Sequence, residues 1–395
     1  MAETTTLAAT GNLMVAEAMR QADPDVVSAY PITPQTTIVE AYAKYVADGR
    51  VHTEFVPVES EHSAMSSCIG ASAAGARVAT ATASQGLTLM YEELHIAAGM
   101  RLPIVMANAN RAISAPINIH GDHSDVMGAR DTGWIIFFAE TAQEAYDNTL
   151  IAFRVAEDEH VQLPVMTTLD GFITTHAMDR AELLDDETVK AFVGERTPGY
   201  ALINADKPVG AGMFASIGDT YMKMQRNKRL AIDGSYEHIQ RIGDEWAKVC
   251  GREFSFTDEF MCDDADYIIV ILGSSAGNAR AVAREFRDKG VKVGVLRIRV
   301  LRPFPARKIR ETLKNAKAIA VLDRSDSFGA QYAPLGLDVR CALYDLPKRI
   351  PTHDYIYGLG GADVTLDMMR RVYDDLQKLA NDELDEGLTY LGVDE

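Results

Sequence analysis

Apolar positions over residues 1–175 switch repeatedly between a helical and an extended period. Gly11–Gln21 puts Leu13, Met14 and Ala18 on one side and predicts a helix. Val26–Tyr30 is a short apolar run stopped by Pro31-Ile32-Thr33-Pro34. A residue before proline is pushed out of helical space, so a strand end and a loop are expected there. A helix over Thr36–Val46 and a strand around Phe55–Val58 follow. Ser60–Gly75 reads as a helix of Ala, Ser and Gly, which implies close packing rather than a broad apolar face. Val78–Ala83 (strand), Leu87–Met100 (helix) and Pro103–Asn108 (strand) come next, and Trp134–Ala139, Gln143–Glu157 and Pro164–Thr168 continue the alternation.

Strand–helix–strand repetition at this spacing predicts a doubly wound α/β fold, a mostly parallel sheet with helices on both faces. Ligands of such sheets sit beyond the carboxyl ends of the strands. The loops of interest are therefore Tyr30–Gln35, Pro57–Ser63, Ser84–Gly86 and Ala109–Asp131. Residues 178–260 lose the rhythm; Asp185-Asp186-Glu187 reads as a solvated face, and one helix is expected near Glu237–Val249. Tyr267–Leu272 opens a second α/β unit, with a helix to Lys289 and strands at Val291–Val300 and Ala318–Leu322. The pattern divides the chain into a first unit with a trailing arm (1–235), a linker helix (236–262), a second, smaller α/β unit (263–375) and an acidic tail (376–395).

Composition narrows the classes. With 47% hydrophobic and 24% charged residues the chain folds into globular units rather than staying disordered. Its net charge of −18 repels phosphate backbones and gives no polybasic hold on a membrane surface. No apolar run approaches the roughly 18–20 residues that span a bilayer. Met1–Thr10 has neither the basic start nor the apolar core of a secretory signal. Cys68, Cys250, Cys262 and Cys341 stand singly, which points to a reduced, cytoplasmic protein whose own cysteines hold no zinc or iron–sulfur cluster.

Three places carry candidate chemistry. Glu61, in Glu59-Ser-Glu-His62, follows a strand and opens the small-residue helix; close packing there would bury its carboxylate and suit it to proton work, although such a group also caps helices. Arg111 opens a long loop after a strand, where it can clamp a carboxylate or pair with a structural acid. Asn118-Ile-His-Gly-Asp-His-Ser-Asp125 groups two histidines and two aspartates, with a pocket wall or loop structure favoured over a metal site. Gly273–Gly277 lacks the Gly-x-Gly-x-x-Gly spacing, so a stand-alone nicotinamide dehydrogenase has little support.

Tyr30-Pro-Ile-Thr-Pro-Gln35, Glu59-Ser-Glu-His62, Thr82-Ala-Ser-Gln-Gly-Leu87 and Asn110-Arg-Ala-Ile-Ser-Ala-Pro116 together resemble the alpha subunit of the 2-oxoacid:ferredoxin oxidoreductases of the pyruvate synthase type. Asp122-His-Ser-Asp125, Arg130-Asp-Thr-Gly-Trp134 and Tyr357-Gly-Leu-Gly-Gly361 fit the same family, and the match runs in order through nearly the whole chain. The resemblance implies a thiamine-diphosphate-binding sheet of the pyrimidine-domain type, followed by a smaller domain like the transketolase C-terminal one. It implies that Glu61 bonds the cofactor's aminopyrimidine ring and favours the tautomer that deprotonates the thiazolium. Pro31, Ile32, Ser84 and Gln85 then border the cofactor. Thr33 and Arg111 hold the substrate's oxo and carboxylate groups, and His120, Gly121 and Asp122 line its pocket.

Several parts of the implied enzyme are absent from this sequence. There is no Gly-Asp-Gly motif for diphosphate and Mg2+, and there are no cluster ligands. The expected partners are a beta subunit bringing Mg2+, gamma and ferredoxin-like delta subunits bringing [4Fe-4S] clusters, and a ferredoxin or NAD-linked acceptor. A lone chain is expected to be inactive. The 2-oxo acid is expected to be pyruvate, with coenzyme A as acyl acceptor; His120-Gly121 leaves room for an aryl acid such as phenylglyoxylate, and oxalate is less favoured. A non-catalytic scaffold would need none of Thr33, Glu61 and Arg111.

Overall fold

The structure, a computed structural model, describes residues 4–393. Its first sheet has seven strands in the spatial order Val300–Arg302, Ile135–Phe138, Val165–Asp170, Ile104–Asn110, Val78–Thr82, Val26–Ala29 and Glu54–Pro57. Every pairing is parallel except that of Val300–Arg302 with Ile135–Phe138. Val78–Thr82, Ile104–Asn110 and Val165–Asp170 are buried at every residue, as strands covered by helices on both faces must be. Val105 and Ala107 point into one core with the helices Gly11–Ala22, Thr36–Ala47 and Ala142–Glu157. Ile104 and Met106 point into the other, with Met65 and Cys68 of the helix Glu61–Ala74 and Leu94 of Tyr91–Gly99.

The second sheet runs Leu388–Leu391, Thr352–Tyr357, Ala318–Asp323, Tyr267–Ile271, Val293–Ile298 and Thr257–Phe260. Only the last pairing is antiparallel. One apolar cluster is continuous across both units, joining Met127 and Trp134 to Leu272, Leu296 and Leu335. The expected α/β architecture is therefore present, with the two units packed through a shared core.

Several local expectations are corrected. The run Val291–Val300 does not stay in one sheet. It leaves the second at Ile298, and Val300–Arg302 becomes an edge strand of the first. The crossing is held by buried Arg297 on Glu144 at 2.7 and 2.8 Å and by Arg299 on Asn148 Oδ1 at 2.7 and 2.9 Å. The helix expected over Leu87–Met100 is two, Ser84–Leu89 and Tyr91–Gly99, broken at buried Met90. It also starts earlier, which brings Gln85 and Gly86 into a helical turn.

Residues 178–260 are more ordered than the pattern implies. Asp179–Leu184 pairs antiparallel with Thr4–Ala9, and the late helix spans Thr220–Cys250. Asp185-Asp186-Glu187 is more than a solvated face: Asp185 caps the helix Asp186–Val193, and Asp186 receives both terminal nitrogens of Arg20 at 2.6 and 2.9 Å. The acidic tail also contributes structure, since Leu388–Leu391 pairs with Thr352–Tyr357.

Candidate active site

From Val26–Ala29 the chain goes outward to Glu54–Pro57, then returns to Val78–Thr82 on the other side. Loops leaving neighbouring strands in opposite directions open a crevice at their carboxyl ends. Tyr30–Gln35, Glu61, Ser84-Gln85-Gly86 and the long loop from Arg111 all border it.

Ser60 caps the helix Glu61–Ala74 by accepting from Ser63 N at 3.2 Å, which leaves the Glu61 carboxylate free of capping. Glu59 is exposed and accepts from Ser63 Oγ at 2.6 Å, so it takes the ordinary helix-start role. Glu61 is only 7% exposed, and neither of its oxygens has a hydrogen-bond or ion-pair partner among the described residues. It lies against Gly86: a Cβ there would come within 2.7 Å of Glu61 Oε1 and 2.5 Å of Thr82 Oγ1. Thr82 Oγ1 and Gln85 Nε2 beside it are buried and have no hydrogen-bond partner among the described residues. Gly86 lets the Glu61 carboxylate lie directly against the turn, and the unpaired Thr82 Oγ1 and Gln85 Nε2 fit a nitrogen-bearing ring such as an aminopyrimidine, because buried polar groups are almost always satisfied.

Arg111 is buried, yet its guanidinium meets no carboxylate among the described residues. Nε donates to Asn118 O and Nη1 to Thr33 O, both at 3.0 Å. The structural ion pair is thus absent, and a buried cation remains beside exposed Thr33. Burial lowers the Arg111 pKa, with the Asp125 charge partly offsetting it. Such a group favours an incoming anion.

The backbone on both sides of the crevice rides on Asp125. Its Oδ2 accepts from Ser84 N at 2.9 Å, Arg111 N at 3.1 Å and Asn108 Nδ2 at 3.1 Å, and its Oδ1 from Val126 N at 2.7 Å. Burial pushes its pKa up to about 6 against the opposing pull of these amides. On the other wall, buried Gln35 reaches Ala81 O at 2.5 Å and holds the loop containing Pro31 and Ile32 to the central strand. Pro31 is exposed and Ile32 half-buried.

The remaining expected residues fall in one loop. His120 is exposed, its ring 4.9 Å from that of Phe172. Gly121 O accepts from Gly361 N and Arg324 Nη2, both at 2.9 Å. The Asp122 carboxylate is committed to Ser124 and to Gly360 N, so it braces this loop. His123 bonds Asp170 Oδ1 at 2.7 Å, and Asp170 also accepts from Ser274 N, Ser274 Oγ and Arg324 Nη1. Burial alone would raise the Asp170 pKa, but His123 and Arg324 outweigh it and hold the carboxyl well below its ordinary range. Gly273, at φ +66°, lets Asp170 approach, so the Gly273–Gly277 loop serves an interdomain contact. The histidines and aspartates of this loop therefore have separate protein partners instead of converging.

Residues 17–244 match the family described as pyruvate flavodoxin/ferredoxin oxidoreductase, thiamine-diphosphate-binding, and residues 265–369 match pyruvate:ferredoxin oxidoreductase core domain II. The fold is similar to that of 2-oxoglutarate:ferredoxin oxidoreductase from Magnetococcus marinus, with a TM-score of 0.71 at 18% identity, over 94% of this chain and 65% of that one. Fold and site together define an α/β enzyme of the thiamine-diphosphate-binding type. Pyruvate synthase subunit PorA of Thermotoga maritima is 49% identical over 93% of this chain and 94% of its own. Ketoisovalerate oxidoreductase subunit VorA of Pyrococcus abyssi is 41% identical over 93% of each. The chain belongs to the pyruvate flavodoxin/ferredoxin oxidoreductase family and is a subunit of a 2-oxoacid oxidoreductase. Among the described residues no helix is long and apolar enough to cross a membrane.

Proposed function

We propose that this chain is the alpha subunit of an enzyme that oxidatively decarboxylates pyruvate to acetyl-coenzyme A and CO2, with electrons passing to iron–sulfur clusters in partner subunits. The observation that carries this reading is the presence on one crevice of two buried charged residues, Glu61 and Arg111, neither with an ion-pair partner among the described residues. Thiamine diphosphate, when bound, supplies a nucleophilic carbon and an electron sink for loss of CO2 from a 2-oxo acid. Glu61 holds the aminopyrimidine ring by a hydrogen bond and sets its proton distribution. Gly86 admits the Glu61 carboxylate against its own backbone, and Pro31, Ile32, Ser84 and Gln85 border the ring. Arg111 binds the substrate carboxylate with a charge-assisted bond, Thr33 orients the oxo group, and His120, Gly121 and Asp122 frame the acid's other end.

The diphosphate–Mg2+ site and the [4Fe-4S] clusters belong to beta, gamma and ferredoxin-like delta partners, since this sequence has neither a Gly-Asp-Gly nor a Cys-x-x-Cys motif. Replacing Glu61 with Gln in the assembled enzyme tests the reading. Turnover should fall by about 100-fold or more, the scale of proton-transfer catalysis, with subunit assembly intact. Wild-type turnover in that variant would overturn the role of Glu61.

A further inference from the structure

The loop that carries Arg111 is pinned in the first unit at its start, with Arg111 N on Asp125 Oδ2 and Ile113 N on Ser124 Oγ, both at 3.1 Å. Ser114–Ile117 is exposed and without regular structure, and its continuation leans on the second unit. Asn118 Nδ2 donates to Gly360 O at 2.8 Å, and Gly360 N donates to Asp122 Oδ2 at 3.1 Å. Gly361 N donates to Gly121 O at 2.9 Å. Arg324 Nη2 bridges Gly121 O at 2.9 Å and Gly358 O at 3.1 Å. The turn is built for this approach: Gly358, Gly360 and Gly361 have φ of +61°, +58° and +77°. A Cβ on Gly360 would overlap the Asn118 amide, and one on Gly361 would overlap His120. Asn118 is the link to chemistry, because its carbonyl accepts from Arg111 Nε while its side chain reads the turn.

The contact is not needed to hold the two units together. The shared apolar cluster and the buried Asp170–Arg324 pair already do that. What the turn adds is register for residues 118–122, and small displacements of a binding group cost productive geometry.

We propose that the Gly358–Gly361 turn of the second unit is a positioning element of the substrate site: through Asn118 it sets where the Arg111 guanidinium sits, and through Gly121 it sets the wall that limits the size of the 2-oxo acid. This rests on the reading of Arg111 as the carboxylate's partner. The second unit thereby tunes substrate choice without touching substrate.

The test uses the assembled enzyme carrying Gly360→Ala, with Gly290→Ala as control, a positive-φ glycine of the same unit with open space around it. Gly360→Ala should raise KM for pyruvate about 10-fold while kcat changes less than about 3-fold, a split that marks lost uniform binding. KM for coenzyme A and thiamine diphosphate content should stay at wild-type values, and the control should leave all four unchanged. Asn118→Asp keeps the side-chain shape but sets an acceptor against Gly360 O; it should give the same selective rise if Gly360→Ala fails to assemble. A fall in kcat and in thiamine diphosphate content with no selective change in KM for pyruvate, together with loss of thermal stability, would reduce the turn to a structural role and overturn the proposal. Arg111→Ala separates the two levels: unchanged KM there sinks the site reading itself, whereas a raised KM there with normal KM in Gly360→Ala and Asn118→Asp sinks this inference alone.

Discussion

Asp125 gives the most demanding prediction because one buried carboxylate ties both sides of the crevice. Replacing it with Ala strands four donors, namely the amides of Ser84, Arg111 and Val126 and the Asn108 side chain. Each buried donor left unsatisfied costs about 1–3 kcal/mol, while relief from burying a charge and entry of water offset part of the sum. A net loss of about 4 kcal/mol follows for Asp125→Ala. Asp125→Asn keeps three donors on one oxygen and turns an N–H toward Val126 N, so it should lose about 1–3 kcal/mol. Urea unfolding of the purified chains reads these losses as a shift in midpoint at constant slope.

Activity carries a second signature. The Asp125 pKa of about 6 lies above that of an unfolded aspartate, so this group's contribution to stability is full below about pH 4 and is lost as pH rises through 6. Function runs the other way: a proton on Asp125 converts an acceptor into a donor facing amide N–H groups. In the assembled enzyme kcat/KM should therefore drop as pH falls through about 6, and that limb should vanish in Asp125→Asn. Wild-type stability and an unchanged acid limb in both variants would show that Asp125 does not tie the two sides of the crevice together.

Other perturbations probe separate contacts. Gly86→Ala drives a methyl into Glu61 and Thr82 and displaces the carboxylate, so thiamine diphosphate affinity in the assembled enzyme should fall by at least about 10-fold, read by titrating apoenzyme with cofactor; unchanged affinity would contradict the role given to Glu61. Asp170→Ala leaves buried Arg324 and His123 without their carboxylate partner, which should cost about 3–5 kcal/mol in urea unfolding, and a loss below about 1 kcal/mol would show the hub to be dispensable. Arg297→Met removes the guanidinium from Glu144, whose carboxyl the Arg299 and Arg297 charges hold at about 2 despite its burial. That contribution is present above the ordinary glutamate range and lost as pH falls toward 2, so the variant's acid unfolding should begin at higher pH.

The strand–helix alternation was legible because the central strands are short apolar runs bounded by loop residues. The loops that carry Thr33, Glu61 and Arg111 were legible as strand ends, and all three border the crevice. Other features depend on contacts distant in sequence. Thr4–Ala9 finds its partner at Asp179–Leu184. Thr352–Tyr357 is a buried strand that carries His353 and Asp354, which hides its apolar character. Val300–Arg302 continues an apolar run that gives no sign of changing sheets. At the site, Asp125 lies in a stretch whose sequence favours loop structure or a pocket wall over a metal site; what marks it as a brace is the pair Asn108 and Asn110 inside an otherwise apolar buried strand. Gln35, Asn118 and Arg324 act through backbone carbonyls, a role that residue type alone does not disclose.

The most direct measurement is dye reduction by the native assembly, purified without oxygen and given coenzyme A with pyruvate, 3-methyl-2-oxobutanoate, phenylglyoxylate, 2-oxoglutarate or oxalate in turn. Thiamine-dependent reduction is expected with pyruvate as the preferred acid, and none from this chain alone. An assembly that contains thiamine diphosphate and iron yet reduces dye with none of the five would contradict the proposed function.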